Sequence, residues 1–99
     1  MSEPTRAYRF AVNVTPKPGI LDPQGTAVER SLPHLGLAGV AAVRVGRRVE
    51  MTVTAADEDA ARAVVDHLAG ELLSNPLMEL YVVEALGEAE APAVAGVGG

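Results

Sequence analysis

The sequence YRFAVNV, residues 8–14, alternates apolar and polar side chains, which is the pattern of a β-strand with one buried face. The segment TPKPG, residues 15–19, must end this strand, because its two prolines remove backbone donors and fix φ. Asp22 is a suitable N-cap, and Pro23 suits the first position of a helix, where no amide donor is needed. The fold therefore begins with a strand, a turn and a capped helix.

The first helix is predicted to run from Pro23 to about Leu35 and to stop at Gly36, a residue that adopts positive φ at low cost. Pro33 lies inside it and should kink or tighten the last turn. Helical spacing predicts an inner apolar face made of Ala27, Val28, Leu32 and Leu35.

Three further elements are predicted after this helix. A hairpin joins residues 39–46 to residues 48–55, with a tight Gly46-Arg47 connection in which Gly46 supplies a positive φ. A second helix opens at residues 57–59, where acidic side chains favour the helix N-terminus, and ends before Asn75-Pro76. Residues 77–86 form a last strand that is apolar on both faces.

The order β-α-β-β-α-β predicts an α+β, ferredoxin-like fold, with a four-stranded antiparallel sheet and two helices on one face. The other face is then open and is expected to carry Tyr81 and Val83. An apolar open face on so small a domain predicts that this face is used for oligomerisation. Residues 1–86 are predicted to form one domain, and residues 87–99, rich in Ala, Gly, Pro and Glu, a flexible tail.

Composition limits the partners and the compartment. Eight basic residues against thirteen acidic ones give a net charge of −5, which argues against nucleic acid and anionic membranes as partners. The chain has no cysteine, so thiolate zinc sites, disulfides and cysteine nucleophiles are excluded and a cytoplasmic location is favoured. The N-terminal residues lack the order of a signal peptide, and no apolar run reaches the length of a membrane span.

The residues that could carry chemistry are few. His34 and His67 fall on different predicted helices without a carboxylate at metal-ligand spacing, so they are interpreted as solvated side chains. The acidic residues 57–59 are interpreted as a helix cap, and the sequence contains neither a nucleophile elbow nor a phosphate-binding loop. We therefore expect no catalytic, cofactor-binding or metal-binding residue on this chain.

Several charged residues could contact a partner, although each has a simpler interpretation. Lys17, the only lysine, stands before a helix start and could meet an anion or a partner, or could be a solvated loop residue. Arg44, Arg47 and Arg48 surround the predicted hairpin tip, where they could dock an acidic protein surface or simply be solvated. Glu79 could pair with an arginine across an interface or lie exposed at an edge.

Four stretches go beyond these patterns. They are KPGILDPQGTAVE (17–29), LPHLG (32–36), VRVGR (43–47) and LLSNPLMELY (72–81). In this order and spacing they resemble the PurS family, the small subunits of phosphoribosylformylglycinamidine (FGAM) synthase, and the resemblance covers about residues 8–84. Arg47 stands where the family often has lysine, which keeps the charge and changes the donor geometry.

The resemblance implies a ligase complex of purine biosynthesis that converts formylglycinamide ribonucleotide, ATP and glutamine to formylglycinamidine ribonucleotide. A PurL-type synthetase subunit would bind ATP and magnesium, and a PurQ-type glutaminase subunit would hydrolyse glutamine. The PurS-like chain, itself a homodimer or tetramer, would bridge them and aid ammonia transfer without an active site or cofactor of its own. The expected interface residues are Lys17, Gly19, Asp22, Pro23, Gln24, Gly25, Arg44, Arg47, Asn75, Glu79 and Tyr81.

Other classes of protein share the predicted topology. An ACT-like small-molecule-sensing dimer is the alternative, and it would be stabilised by a bound amino acid. An RNA-binding module would need aromatic residues on its central strands and a basic face, both of which are missing. A free-standing enzyme is disfavoured by the lack of a catalytic constellation.

Overall fold

The computed structural model describes residues 5–90 and shows an α+β fold with two helices and a three-stranded antiparallel sheet. Residues 1–4 and 91–99, which include most of the expected tail, lie outside the described residues. The elements are β1 (Arg6–Pro16), α1 (Pro23–Ser31), β2 (Arg47–Ala55), α2 (Glu58–Leu68) and β3 (Glu79–Ala89). A 3-10 turn, Leu32–Leu35, follows α1, and a π-helical turn, Ala69–Leu73, follows α2.

The first strand is the centre of the sheet, whose order is β2-β1-β3. Both neighbours run antiparallel to it, with Phe10 opposite Met51 on β2 and opposite Ala85 on β3. A register shift between Arg9 and Phe10 marks a bulge against β3. The alternation in residues 8–14 is confirmed, because Tyr8, Phe10, Val12 and Val14 all face the core.

The core lies between β1 and α2. Phe10, Val12, Val14 and Val65 are fully buried, and small Ala61 and Ala69 lie one turn on either side of Val65, which lets the helix approach the sheet closely. Burial of a large apolar side chain stabilises a fold by roughly 1.5–3 kcal/mol, so this single layer carries much of the domain's stability.

Residues 39–46 do not form the predicted hairpin strand. The amides of Val43 and Val45, which would bond to a neighbouring strand, donate instead to the carboxylates of Glu29 and Asp22, at 2.9 and 2.8 Å. Gly46 does not adopt the expected positive φ. It passes close to β1 instead, where a Cβ would lie 2.2 Å from the Val14 carbonyl oxygen.

The prediction that both helices pack on the sheet is wrong for α1. This helix makes no extensive contact with any of the strands. Of its predicted inner face, Ala27, Val28 and Leu35 are exposed, and Leu32 is half-buried. The effect of Pro33 is confirmed, because the helix tightens into a 3-10 turn at Leu32–Leu35 and stops at Gly36, whose φ is 71°. We call residues 23–45 the arm.

The open face of the sheet is more polar than predicted. Tyr81 and Val83 lie opposite Val14 and Val12, so they face α2 rather than solvent. The open face carries Leu80 and Val82 together with a network of ion pairs and hydrogen bonds that joins Arg9, Asn13, Arg48, Glu50 and Glu84. Strand β3 continues to Ala89, three residues past the predicted end at Leu86.

Candidate functional site

A cleft of about 720 Å³ opens where the arm leaves the sheet. Its walls come from the start of α1, the start of β2 and the turn that leads into β3. Six of the predicted interface residues line it: Asp22, Pro23, Gln24, Arg47, Asn75 and Glu79. The fold thus brings together residues that lie up to 57 positions apart in the chain.

The loop between β1 and α1 forms a hydrogen-bonded turn. Ile20 N donates to the Lys17 carbonyl oxygen at 3.1 Å, and Gly19 has a φ of 83°. With Pro18 at the second turn position and Gly19 at the third, this is the arrangement of a type II turn. Lys17 N also donates to the Met78 carbonyl oxygen at 2.9 Å, which ties the loop to the turn before β3.

Asp22 joins the two ends of the arm to each other. One carboxylate oxygen accepts from Gly25 N at 3.0 Å, as an N-cap does, and the other accepts from Val45 N at 2.8 Å. The side chain is almost fully enclosed, with Asp22 9% exposed. The hydrogen bond from Gly25 N, followed by that from Val45 N, lowers the pKa of this carboxyl, so it stays ionised while the arm is fastened.

Gly25 and Glu29 complete the base of the arm. A Cβ at Gly25 would lie 2.3 Å from the Val43 carbonyl oxygen, so only glycine lets the two backbones meet there. Glu29 accepts from Val43 N at 2.9 Å. Sequence reasoning missed Glu29, although its position seven residues after Asp22, two helical turns along one face, was a usable signal.

Arg44 ties the end of the arm to the end of β1. Its guanidinium donates from Nη2 to the carbonyl oxygens of Pro16 and Lys17, both at 2.8 Å. The three clustered arginines do not form one patch, because Arg47 faces the cleft and Arg48 lies in the network on the open face of the sheet. The hypothesis of a single basic docking patch at a hairpin tip is therefore wrong.

Arg47 and Glu79 form the floor of the cleft. Their side chains make two parallel hydrogen bonds of 2.8 and 2.9 Å, and Arg47 Nη2 also donates to the Leu73 carbonyl oxygen at 2.6 Å. Glu79 accepts in addition from Asn75 N at 2.8 Å. The Arg47 guanidinium, assisted by the Asn75 amide, lowers the pKa of Glu79 to about 2.

Asn75 shapes the turn that carries β3 into the cleft. Its side-chain oxygen accepts from Leu77 N at 3.1 Å, and its carbonyl oxygen accepts from Met78 N and Glu79 N at 2.9 and 2.7 Å. This is the local pairing for which asparagine is favoured in turns. Tyr81, by contrast, lies outside the cleft, where its hydroxyl approaches the Asp66 carbonyl oxygen at 3.5 Å.

The cleft presents a fixed polar floor and an apolar rim. Its charged groups, Asp22, Arg47 and Glu79, are all engaged by groups of their own chain. At the rim, Leu21 is 78% exposed and Met78 is 51% exposed. Exposed apolar side chains grouped around a cleft are typical of surfaces that meet another molecule. Fold and site together define a small α+β binding module.

Comparison with known proteins places this module in a family. The family model PurS, described as phosphoribosylformylglycinamidine (FGAM) synthase, matches residues 9–87. The chain belongs to the PurS family. A PurS subunit of this synthase from Synechocystis is 40% identical over 80 residues, which cover 81% of this chain and 80% of the relative. The PurS subunit from Bacillus subtilis is 35% identical, covering 78% of this chain and 90% of the relative.

Solved structures show the same fold. The purS subunit of the synthase from Thermotoga maritima superposes with a TM-score of 0.76 at 30% identity, covering 85% of this chain and 97% of that one. A chain in the structure of PurLQS from Thermotoga maritima superposes with a TM-score of 0.74 at 31% identity, covering 81% and 98%.

Proposed function

We propose that this chain is the bridging subunit of an FGAM synthase complex, in which it joins a PurL-type synthetase subunit to a PurQ-type glutaminase subunit. The observation that carries the proposal is the similarity to a chain of the PurLQS structure, with a TM-score of 0.74 over 98% of that chain. The cleft supports it, because its charged groups organise a surface and its rim leaves apolar side chains exposed.

The proposed mechanism is assembly. The complex uses glutamine as amide donor and ATP to convert formylglycinamide ribonucleotide to formylglycinamidine ribonucleotide. Ammonia released into water is protonated and loses its nucleophilicity, so the two active sites must communicate without solvent. In this proposal ATP and magnesium bind to the synthetase subunit, and the present chain binds no cofactor. Its role is to hold the synthetase and glutaminase subunits in fixed relative positions.

The location belongs to the same proposal. We place the complex in the cytoplasm, and the lack of cysteine in this chain suits a reducing compartment. Within the described residues no helix has the length and apolar character that a membrane crossing requires.

The four-stranded, ferredoxin-like order is also part of the proposal. The observed order β2-β1-β3 is what that fold would show without its second strand, which would lie beside β2. We propose that the chain associates with itself, as a dimer or tetramer, and that the fourth position beside β2 is filled in that assembly.

The surface of the cleft suggests where the synthetase docks. We propose that the loop from Lys17 to Gly25 contacts it, with Lys17, Gly19, Pro23 and Gln24 on the contact surface. Asp22, Gly25, Arg44, Arg47, Asn75 and Glu79 hold that surface in shape through their own hydrogen bonds. Removing Arg44 or Arg47 would therefore act on the shape of the cleft first.

Co-purification tests the proposed function. The chain is mixed with a PurL-type and a PurQ-type subunit in the presence of glutamine and Mg-ADP, and the mass and stoichiometry of the eluted complex are measured. We expect one complex that contains all three chains, and glutamine-dependent synthesis that requires the present chain. Elution of the three proteins separately, with unaltered glutamine-dependent activity when this chain is omitted, would contradict the proposal.

The docking loop has a sharper test. Lys17→Glu and Gln24→Arg change two residues of the proposed docking loop whose side chains hydrogen bond no described residue. We expect both variants to keep the fold and to lose binding to the synthetase. His67→Ala on α2 is the control, since His67 lies away from the cleft, and its binding should be unchanged. The ACT-like alternative instead requires an amino acid to raise the melting temperature of the isolated chain, a result that family membership does not favour.

A further inference from the structure

The charged groups of the cleft differ in how much of them reaches solvent. Asp22 is 9% exposed and the side chain of Glu79 is 19% exposed, and both carboxylates accept hydrogen bonds from their own chain. The side chain of Arg47, by contrast, is 50% exposed. The cleft therefore encloses its acids and turns a cation outward, although the whole chain has a net charge of −5.

Two further cations stand beside the walls of the cleft. Lys17 lies between the wall residues Pro16 and Ile20, and its amine forms no ion pair among the described residues. Arg44 precedes the wall residue Val45, is exposed, and donates only to carbonyl oxygens. These cations make the mouth of the cleft a site that attracts negative charge on a partner.

The hydrogen-bonding capacity that the cleft leaves unused belongs to donors. Arg47 donates three times, to Glu79 and to the Leu73 carbonyl oxygen, which leaves further N–H groups of its guanidinium available. Asn75 uses its side-chain oxygen on Leu77 N, and its Nδ2 donates to no described residue. An occupant must therefore supply acceptors, and a carboxylate forms the strongest hydrogen bonds with such donors.

The apolar surface at this end of the sheet extends beyond the cleft. Leu21 and Met78 stand at the rim, Leu77 of the turn before β3 is 84% exposed, and Leu72 of the π-helical turn is 73% exposed. Exposed apolar side chains grouped in this way indicate an interaction surface. A ligand confined to the cleft would leave Leu72 and Leu77 in water, whereas a polypeptide segment that enters the cleft and continues past its rim covers them.

We propose that the cleft binds a segment of the synthetase subunit in which an acidic residue stands next to a large apolar one. The carboxylate lies opposite Lys17 and Arg47, and the apolar side chain packs between Leu21 and Met78. The synthetase is the occupant because the proposed docking loop, residues 17–25, forms one wall of this cleft. The inference rests on the proposed function and specifies the chemistry of recognition. The hydrogen-bonded floor holds the cleft in shape before binding, which lowers the cost of association.

Lys17 is the only lysine of the chain, which gives the proposal a specific chemical test. The complex with intact PurL-type and PurQ-type subunits is treated with a carbodiimide, which joins an amine to a carboxylate in contact with it, and mass spectrometry separates Lys17 links from those of the N-terminal amine. We expect Lys17 to be joined to an aspartate or glutamate of the synthetase that neighbours a large apolar residue.

Lys17→Arg is the matched control for this cross-link. It keeps the positive charge but has no amine for the carbodiimide reaction, so it should bind the synthetase and give no link at residue 17. The proposal is overturned if Lys17 is joined to the glutaminase subunit or to a second copy of this chain instead. It is equally overturned if the complex assembles and Lys17 forms no link.

The apolar part of the contact has an independent measurement. Leu21→Ser should weaken binding to the synthetase about tenfold, because burial of a large apolar side chain contributes on that scale, while the far-ultraviolet circular dichroism stays that of the natural chain. Val82→Ser, on the open face of the sheet, is the control and should bind like the natural chain. Equal affinities for Leu21→Ser and the natural chain would overturn the proposal.

The charged part of the contact is measured by salt dependence. The affinity of the natural chain for the synthetase should fall as salt is added, and Lys17→Gln should reduce that dependence. Arg6→Gln, at the far end of β1, should leave it unchanged. Identical salt dependence for Lys17→Gln and the natural chain would overturn the proposal. A three-chain complex that forms equally well with Leu21→Ser and Lys17→Gln refutes this inference and leaves the proposed function standing.

Discussion

The sheet with α2 and the arm are built from similar apolar patterns but differ in what covers them. On β1 the alternating side chains Phe10, Val12 and Val14 are fully buried against α2. On the arm Val28, Leu35 and Val40 keep between 42% and 69% of their surface exposed. Periodicity therefore shows which side chains share a face, and it does not show whether the same chain buries that face.

Phe10→Ala should have the largest effect and should separate the two regions most clearly. Phe10 is fully buried, so truncation leaves a cavity and should lower the free energy of unfolding by about 3–5 kcal/mol. Val28→Ala on the arm should change it by less than about 0.5 kcal/mol in dilute protein. Denaturant unfolding at several protein concentrations measures both. An equal loss of unfolding free energy for the two variants in dilute protein would contradict the proposed difference between the core and the arm.

Gly25→Ala should damage the base of the arm and spare the core. The added Cβ would meet the Val43 carbonyl oxygen at 2.3 Å, and overpacking of this kind costs about 1–3 kcal/mol. Amide chemical shifts of Val43 and Val45 should move while those of β1 stay. Gly70→Ala is the matched control, because its nearest heavy atom would be 3.8 Å away. If Gly25→Ala melts like Gly70→Ala, the close contact does not exist in solution.

Glu79→Gln should change how the stability of the cleft depends on pH. The folded-state pKa of Glu79 is lowered from 4.5 to about 2 by Arg47, so its stabilisation is present above pH 4.5 and disappears as the pH falls towards 2. The variant should be less stable than the natural chain at neutral pH and should lose less stability over that acid range. Glu71→Gln, on the π-helical turn, is the control. Urea unfolding at a series of pH values measures this difference, and parallel pH profiles for Glu79→Gln and the natural chain would contradict a stabilising Arg47–Glu79 ion pair.

Ala42→Gly should give the smallest effect, and with the opposite sign. Ala42 has a φ of 57°, in the left-handed region that costs a residue with a Cβ about 1 kcal/mol. Glycine should relieve that cost and raise the melting temperature slightly, partly offset by the entropy of the unfolded chain. Ala41→Gly is the matched control and should lower it. A lower melting temperature for Ala42→Gly would show that the strain in the arm is not relieved by removing the Cβ.

Elements whose stabilising contacts lie close in the sequence were predictable. The Asp22 cap, the helix start at Pro23 and the stop at Gly36 follow from capping and turn chemistry, and the structure confirms them. The strand predicted at residues 8–14 is also present, but it runs two residues further at each end, from Arg6 to Pro16. Six of the interface residues predicted from the family resemblance lie together on the walls of the cleft.

The remaining differences have physical causes that a local pattern does not carry. Residues 39–46 look like a strand, but two side-chain carboxylates compete for the amides of Val43 and Val45, and that competition depends on tertiary structure. Tyr81 and Val83 could belong to either face of an apolar strand, and only the register with β1 assigns them to the core side. The ion pair between Arg47 and Glu79 likewise depends on tertiary structure, because Arg47 begins β2 and Glu79 begins β3, and these strands lie on opposite sides of β1.

Amide hydrogen exchange measured across a dilution series is the most direct test of the proposed self-association, because it reads the arm and the sheet in one sample. We expect the α1 amides of Ala27 to Arg30 to be protected in concentrated protein and to lose that protection on dilution, while the β1 amides of Phe10 to Val14 change far less. Exchange of the α1 amides at a rate that does not depend on protein concentration would contradict the proposed self-association.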